Sequence, residues 1–258
     1  MSEIPYKTDW HGGVFPDMLA FSQNGTDFGA ALSASLQAWS AAGLRFVWLE
    51  FSLENAALIA QAAAQGFVYH HINNGTLTML HRLTAEAEGP PDASHYVGVG
   101  GIVINGRNEL LTIREKYFGD RPAFYKFPGG YVYPGEHLAD AIVREVWEET
   151  AVRAQFHSVV GIRHAHVDRF GKSDLYFLCR LTPLTEEIRP QASEIAECIW
   201  MPVEQFLQHP QVSAFNRNFV QLAVKTDGLA ADEFADYPGP ERRDKIELLL
   251  PSEETKLA

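Results

Sequence analysis

Between Gly130 and Val152 the chain reads GYVYPGEHLADAIVREVWEETAV, and no other stretch limits its possible folds as tightly. Gly130, Glu136, Arg144, Glu145, Glu148 and Glu149 stand at fixed offsets, with aliphatic Val146 and Val152 among and after them. Leu138, Ile142 and Val146 recur every four residues, which predicts a helix with one buried side. Glu145, Glu148 and Glu149 then lie at i, i+3 and i+4 and share a face. Like charges so placed repel by about 0.2–0.5 kcal/mol per exposed pair. A bound cation would offset that cost, and ligands made only of oxygen suit Mg²⁺ or Mn²⁺. For an isolated E-x-x-E-E the ordinary reading is a solvated acidic face. Six identities at fixed offsets coincide by chance in on the order of one window in ten million, at about 7% usage each, and this favours the metal site.

The stretch resembles the Nudix box, G-x5-E-x7-R-E-U-x-E-E-x-G-U with U aliphatic. Every defined position matches except one, where Ala151 replaces the family's glycine. That glycine follows the helix, where a left-handed turn is easiest without a side chain. Alanine puts the exit geometry in question and leaves the charged positions intact.

Length and composition frame this local signal. A chain of 258 residues suffices for one large domain or two modest ones. Hydrophobic content of 46% and aromatic content of 12% indicate a packed globular core. A net charge of −12 argues against broad nucleic-acid or anionic-membrane binding, which needs a basic field. It is compatible with a phosphorylated substrate, because metal ions and local cations can invert the sign within one cleft. Cys179 and Cys198 sit in apolar strand-like contexts and read as buried, reduced thiols. The N-terminal MSEIPYKTDWHGG lacks a basic region followed by an apolar run, so a soluble cytoplasmic protein is expected.

Along the chain, TAEAEGPPDAS from Thr84 to Ser94 combines acidic residues, glycine and a Pro-Pro pair, and reads as a linker. Before it, helices are predicted over Phe28 to Ala42 and Asn55 to Gln65. Strands are predicted over Leu44 to Phe51, Phe67 to His70 and Thr76 to Leu83, the last two joined by Asn73-Asn74-Gly75. This order resembles half of a GNAT-type acetyltransferase. The glycine-rich pyrophosphate loop of that family is missing, with Leu53-Glu54-Asn55-Ala56-Ala57 in its place, so acetyl transfer is disfavoured.

After the linker, His95 to Ile104 reads as a long strand, turned by Asn105 to Asn108 into a second over Glu109 to Arg114. Phe156 to His166 and Asp174 to Leu181 read as paired strands, and Cys198 to Met201 as a last one. Helices are expected over Val203 to Leu207 and Phe215 to Val224, then an acidic, partly unordered tail from Asp227.

The motifs SHYVGVGGIV, KFPGG and FGKSDLYFLCRL followed by WM extend the resemblance over roughly residues 25–225. They are similar to a Nudix branch with an N-terminal pre-Nudix domain. That branch includes the fibroblast growth factor antisense Nudix protein and plant ADP-ribose/NADH pyrophosphatases. The implied fold is a Nudix α/β/α sandwich with a mixed sheet, over 94–226. A small GNAT-like α/β domain over 1–88 would precede it, and the tail would cover 227–258.

The implied activity is divalent-metal-dependent hydrolysis of a pyrophosphate bond in a nucleoside diphosphate derivative, with ADP-ribose or NAD(H) leading. Under this resemblance Glu148 and Glu149 are the principal metal ligands. Glu145 is a third ligand or the general base, and the Gly129 carbonyl completes the shell. Arg144 and Glu136 orient the carboxylates. Glu194, with Glu197 as alternative, would supply a second base from a later segment. Lys126, Arg163, His164 and His166 are candidates for phosphate contact, against an ordinary half-exposed strand face for the histidines. Tyr117, Phe118, Tyr131 and Tyr133 could stack a nucleobase or simply pack. The expected partner is a small nucleotide substrate, with a homodimer possible by family habit. The alternative is a regulatory or partner-binding protein with a weak or vestigial site, for which Ala151 is the sequence argument.

Overall fold

The structure is a computed structural model that describes residues 3–18, 27–87, 89–116, 124–232 and 245–251. The chain divides into two compact units, Met1–Ala93 and Ser94–Ala258.

In the first unit, β1 (Tyr6–Thr8) and β2 (Gly13–Pro16) precede α1 (Phe28–Ala41) and β3 (Phe46–Phe51). A short 3₁₀ segment (Leu53–Leu58) runs into α2 (Ile59–Ala64), and β4 (Val68–Asn73) and β5 (Thr76–Arg82) follow. The sheet order is β1-β2-β3-β5-β4, with β2 and β3 parallel and the other pairs antiparallel. Asp27 starts α1 by accepting the Ala30 N–H at 2.9 Å. Trp39 and Leu32 of α1 pack on Leu49, Phe51 and Met79 of the sheet. The β4–β5 hairpin turns through Asn74 and Gly75, both at positive φ, as a two-residue connection requires. β1 and β2, of three and four residues, carry too little alternation to stand out in the sequence.

The second unit contains β6 (His95–Val103), β7 (Glu109–Glu115), β8 (Gly129–Tyr131), α3 (Leu138–Thr150), β9 (Ala154–Arg169) and β10 (Lys172–Pro183). After these come β11 (Ile195–Pro202), α4 (Val203–Gln208), α5 (Ala214–Lys225), β12 (Leu229–Asp232) and β13 (Leu248–Pro251). Six strands form a mixed sheet in the order β13-β12-β9-β10-β6-β8, with β6 and β10 parallel. Alternation along the strands sends residues to opposite faces. Val99, Val103, Cys179 and Leu181 meet Ile142 and Val146 of α3. Ile102 and Leu178 meet Phe206 of α4 and Val220 and Ala223 of α5. The result is an α/β/α sandwich with a mixed sheet. Both cysteines are free thiols, Cys179 buried and Cys198 partly so.

One sequence expectation fails. The expected hairpin between β6 and β7 is reduced to one bridge, Ile104 with Leu110, and β7 pairs with β11 instead. A strand has only two edges, and those of β6 are taken by β10 and β8. Among the described residues of the acidic tail, β12 and β13 extend the sheet beyond β9. No helix among the described residues is long and apolar enough to cross a membrane.

Candidate active site

The site is built on α3. Leu138, Ile142 and Val146 pack into the core as the four-residue spacing requires. His137, at the N-cap, makes no side-chain cap bond. Glu247, more than a hundred positions away in sequence, does so instead, accepting the N–H groups of Leu138 at 3.0 Å and Ala139 at 3.1 Å. A carboxylate on the exposed amides of a first turn also meets the positive end of the helix dipole. At the other end Ala151 adopts φ 58°, ψ 13°, the left-handed geometry expected of the box glycine. The carbonyls of Glu149 and Thr150 accept N–H groups from Gln191 and Arg189.

Opposite the apolar stripe lie Arg144, Glu145, Glu148 and Glu149. The Arg144 guanidinium organises the group. It donates from Nε to Glu136 Oε1 at 2.7 Å and from Nη2 to Glu136 Oε2 at 2.9 Å. Its Nη1 donates to Glu145 at 2.7 Å and to Glu148 at 3.1 Å. Nη2 also donates to the Tyr131 carbonyl at 3.0 Å, and the guanidinium lies 4.5 Å from the Tyr133 ring centroid. A planar fork with five donors can make all five of these bonds at once, whereas a lysine ammonium has only three donors. The Arg144 bonds hold Glu136 below the usual carboxylate range and raise Arg144 itself.

Burial acts the other way on the remaining carboxyls. Glu145 is pushed up by desolvation, against the pull of Arg144. Glu149 is only 5% exposed, and loss of water raises it to about 7, although Lys126 and the Gly129 N–H favour its charged form. That N–H donates to Glu149 Oε2 at 2.9 Å. At Gly130 a β-carbon would stand 2.5 Å from Glu145 Oε1, so only glycine lets β8 pass the carboxylate this closely.

The donor set fits Mg²⁺ or Mn²⁺, being all oxygen and including one carboxylate stripped of water. Among the described residues no three acidic or histidine side chains close around a single point. Arg144 spaces Glu145 from Glu148, and Mg²⁺ commonly takes one or two carboxylates and keeps several waters.

The other candidates divide. Lys126 pairs with Glu115 and acts on Glu149, so it belongs to the cluster. Arg163 pairs with Asp174 and lies 5.1 Å from the centre of the Tyr176 ring. His164 projects from the opposite face of β9, with its Nε2 2.9 Å from that of His95. His166 Nδ1 is 2.8 Å from Ser173 Oγ. Glu194 lies in the turn before β11, where its carbonyl accepts the Lys116 N–H; its side chain is exposed. Glu197 is engaged by Tyr125 at 2.7 Å and Arg114 at 3.0 Å. Tyr131 and Tyr133 are exposed, while Tyr117 and Phe118 lie outside the described residues.

Two groups at the site carried no signal in the sequence. Glu115 ends β7 and reaches Lys126 and Glu149 only through the fold. Tyr176 is half-buried, its hydroxyl close to Gly129, and loss of water raises it with Glu149 adding to the effect.

Comparison with known proteins follows this division of the chain. Residues 94–223 match the NUDIX domain family, and residues 4–83 match a family described as Nudix hydrolase domain. Nudix hydrolase 2 of Arabidopsis thaliana is 36% identical over 240 residues, covering 92% of this chain and 84% of that protein. Nudix hydrolase 8 of the same plant is 38% identical over 207 residues, 79% of this chain and 56% of its own length. The human protein named nucleoside diphosphate-linked moiety X motif 6 is 37% identical over 202 residues, covering 76% of this chain and 63% of that protein.

Proposed function

The chain belongs to the Nudix hydrolase family, and from that premise we propose that it hydrolyses a pyrophosphate bond in a nucleoside diphosphate derivative, ADP-ribose or NAD(H) foremost, using Mg²⁺ or Mn²⁺. The observation that carries this reading is the face of α3, where one guanidinium orders Glu136, Glu145 and Glu148 beside the desolvated Glu149. In this reading Glu148 and Glu149 hold the ion, with Glu145 and the Gly129 carbonyl available to complete its surroundings. When bound, the ion supplies positive charge to the non-bridging phosphate oxygens. Glu145 is half-buried with its proton affinity raised, which suits a group that takes a proton from an attacking water. Glu194, on the turn next to the end of β7, is the second candidate for that task. Arg144 and Glu136 keep the carboxylates in place without touching substrate. Lys126 and Arg163 supply positive charge toward a polyanionic substrate, whereas His164 lies on the opposite face of β9 against His95.

The products expected from ADP-ribose are AMP and ribose 5-phosphate, one water being consumed as the P–O–P anhydride opens. The test is release of AMP from ADP-ribose and from NADH with Mg²⁺ or Mn²⁺, compared with the Glu148→Gln variant. Metal-dependent AMP release by the wild type and its loss in the variant are expected. Equal rates for the two proteins would end the assignment. The alternative of a partner-binding protein with a vestigial site had its support in Ala151, yet Ala151 takes the left-handed conformation and keeps the helix exit. Nucleotide binding without turnover across a panel of metals and substrates would revive it.

A further inference from the structure

The five-stranded sheet of the first unit is packed differently on its two faces. Val47, Leu49 and Phe51 of β3 join Leu32 and Trp39 of α1 in the core. Alternation turns Phe46 and Trp48 the other way, onto Leu80 of β5 and Ala87. On that second face opens a cavity of about 580 Å³, walled by Phe15, Phe46, Trp48 and Thr78 and by Gly89 and Pro90. Its size is that of a small-molecule site. The Phe15 and Trp48 rings are nearly parallel, 18° apart with centroids at 6.4 Å, and Phe46 stands across Trp48 at 81°. His70 meets Trp48 edge-on at 4.9 Å, with its Nε2 2.8 Å from the Pro90 carbonyl oxygen. Ring faces and ring edges are thus both presented to the cavity, as a planar aromatic guest requires.

Unpaired polar groups distinguish this cavity from ordinary packing. Trp48 is 7% exposed and Thr78 4%. Yet neither the indole N–H nor the threonine hydroxyl has a hydrogen-bond partner among the described residues. Buried polar groups left unpaired oppose folding. An indole offers only a donor, and a hydroxyl can act as one, so the partner they lack is an acceptor. Charge is laid out along the same strand. Arg45, just before β3, has its guanidinium 6.0 Å from the Phe46 ring centroid and no carboxylate in ion-pair reach among the described residues. Glu50 follows five positions later, roughly 16 Å along an extended strand. Asp9 lies near Phe46, where a β-carbon on Gly13 would touch both. Its Oδ1 already accepts the N–H groups of His11 at 2.9 Å and Gly13 at 2.7 Å. The guanidinium is therefore the charge left without a partner at that end.

We propose that this cavity binds a planar aromatic carboxylate that carries an acceptor atom in its ring. The ring lies against Trp48 and Phe15, its acceptor faces the Trp48 N–H, and its carboxylate pairs with Arg45. Every residue invoked belongs to the first unit, so the site stands apart from the acidic helix face and is independent of the pyrophosphatase reading. The first unit is then a ligand-binding module.

The test is a nuclear magnetic resonance titration of the full chain with three probes of one shape. Quinoline-6-carboxylate has both the ring acceptor and the acid, naphthalene-2-carboxylate lacks the ring nitrogen, and 6-(aminomethyl)quinoline replaces the acid with an ammonium. The five tryptophans each give an indole N–H signal, and Trp48→Phe identifies that of Trp48. Quinoline-6-carboxylate should shift the Trp48 signal saturably and bind more tightly than either of the other probes. Arg45→Gln should weaken it by about three- to tenfold, since a charged hydrogen bond at an exposed residue is lost. Trp48→Phe should erase the preference for the ring nitrogen while keeping the preference for the acid. Because Arg45 is exposed, Arg45→Gln keeps the fold, and its comparison stands even where Trp48→Phe does not fold. No shift of the Trp48 signal overturns the proposal, as does equal or tighter binding of the ammonium probe. Unchanged affinity of quinoline-6-carboxylate for Arg45→Gln overturns it as well.

Discussion

The two long faces of α3 are made by one thirteen-residue segment and carry opposite energetic signs. On one, Ala141, Ile142 and Val146 are fully buried against the sheet, and their transfer from water favours folding. On the other, Glu145 and Glu149 have lost much of their water and keep their protons more tightly than free carboxylates do. Desolvated carboxylates oppose folding of the metal-free protein. The apolar face therefore holds the helix in place so that the acidic face can be held in an arrangement it would not choose by itself. Functional sites commonly show this exchange of stability for chemistry.

The contrast can be broken from either side. The largest effect is expected on the acidic face: Glu149→Gln should lower kcat/KM by about 10³-fold, since several kcal/mol of charge stabilisation are lost. The same change should leave the thermal midpoint of the metal-free protein unchanged or higher, which calorimetry would show. A variant that lost stability in step with activity would mean Glu149 serves the fold. Next, Ile142→Ala on the apolar face should cost about 2–5 kcal/mol in urea unfolding, by removing methylenes and leaving a cavity. Its folded fraction should still turn over substrate. The ends of the helix sharpen the comparison at smaller scale. Glu247→Gln should cost about 1 kcal/mol, because the carboxylate caps the first turn from a distant segment. Ala151→Gly should stabilise by about 0.5–1 kcal/mol, since φ 58° is nearly free for glycine and strained for alanine. Destabilisation by that last change would show that the Ala151 methyl group packs usefully.

What the sequence revealed about the site follows the same boundary between local and distant causes. The apolar stripe, the shared face of Glu145, Glu148 and Glu149, and the reach of Arg144 to Glu148 are consequences of helical spacing, and all could be read before folding. The bidentate hold on Glu136 needs only the short turn before α3. Glu115, Tyr176 and Glu247 reach the helix from other strands and from the tail, so no spacing rule announces them. The Asn105–Asn108 turn signal was sound as a turn and misleading as a hairpin, because a turn reports the direction of the chain and not which edges are already occupied. Arg163 and His164 are neighbours in sequence. Strand alternation separates them, sending one to Tyr176 and the other to His95.

The claim beneath all of this is that the acidic face of α3 is a divalent-metal site. Titration of Mn²⁺ followed by electron paramagnetic resonance, on the wild type and on a variant combining Glu148→Gln with Glu149→Gln, tests it most directly. The account predicts saturable Mn²⁺ binding by the wild type and its loss in the variant, with the fold retained. Equal binding by the two proteins would contradict it.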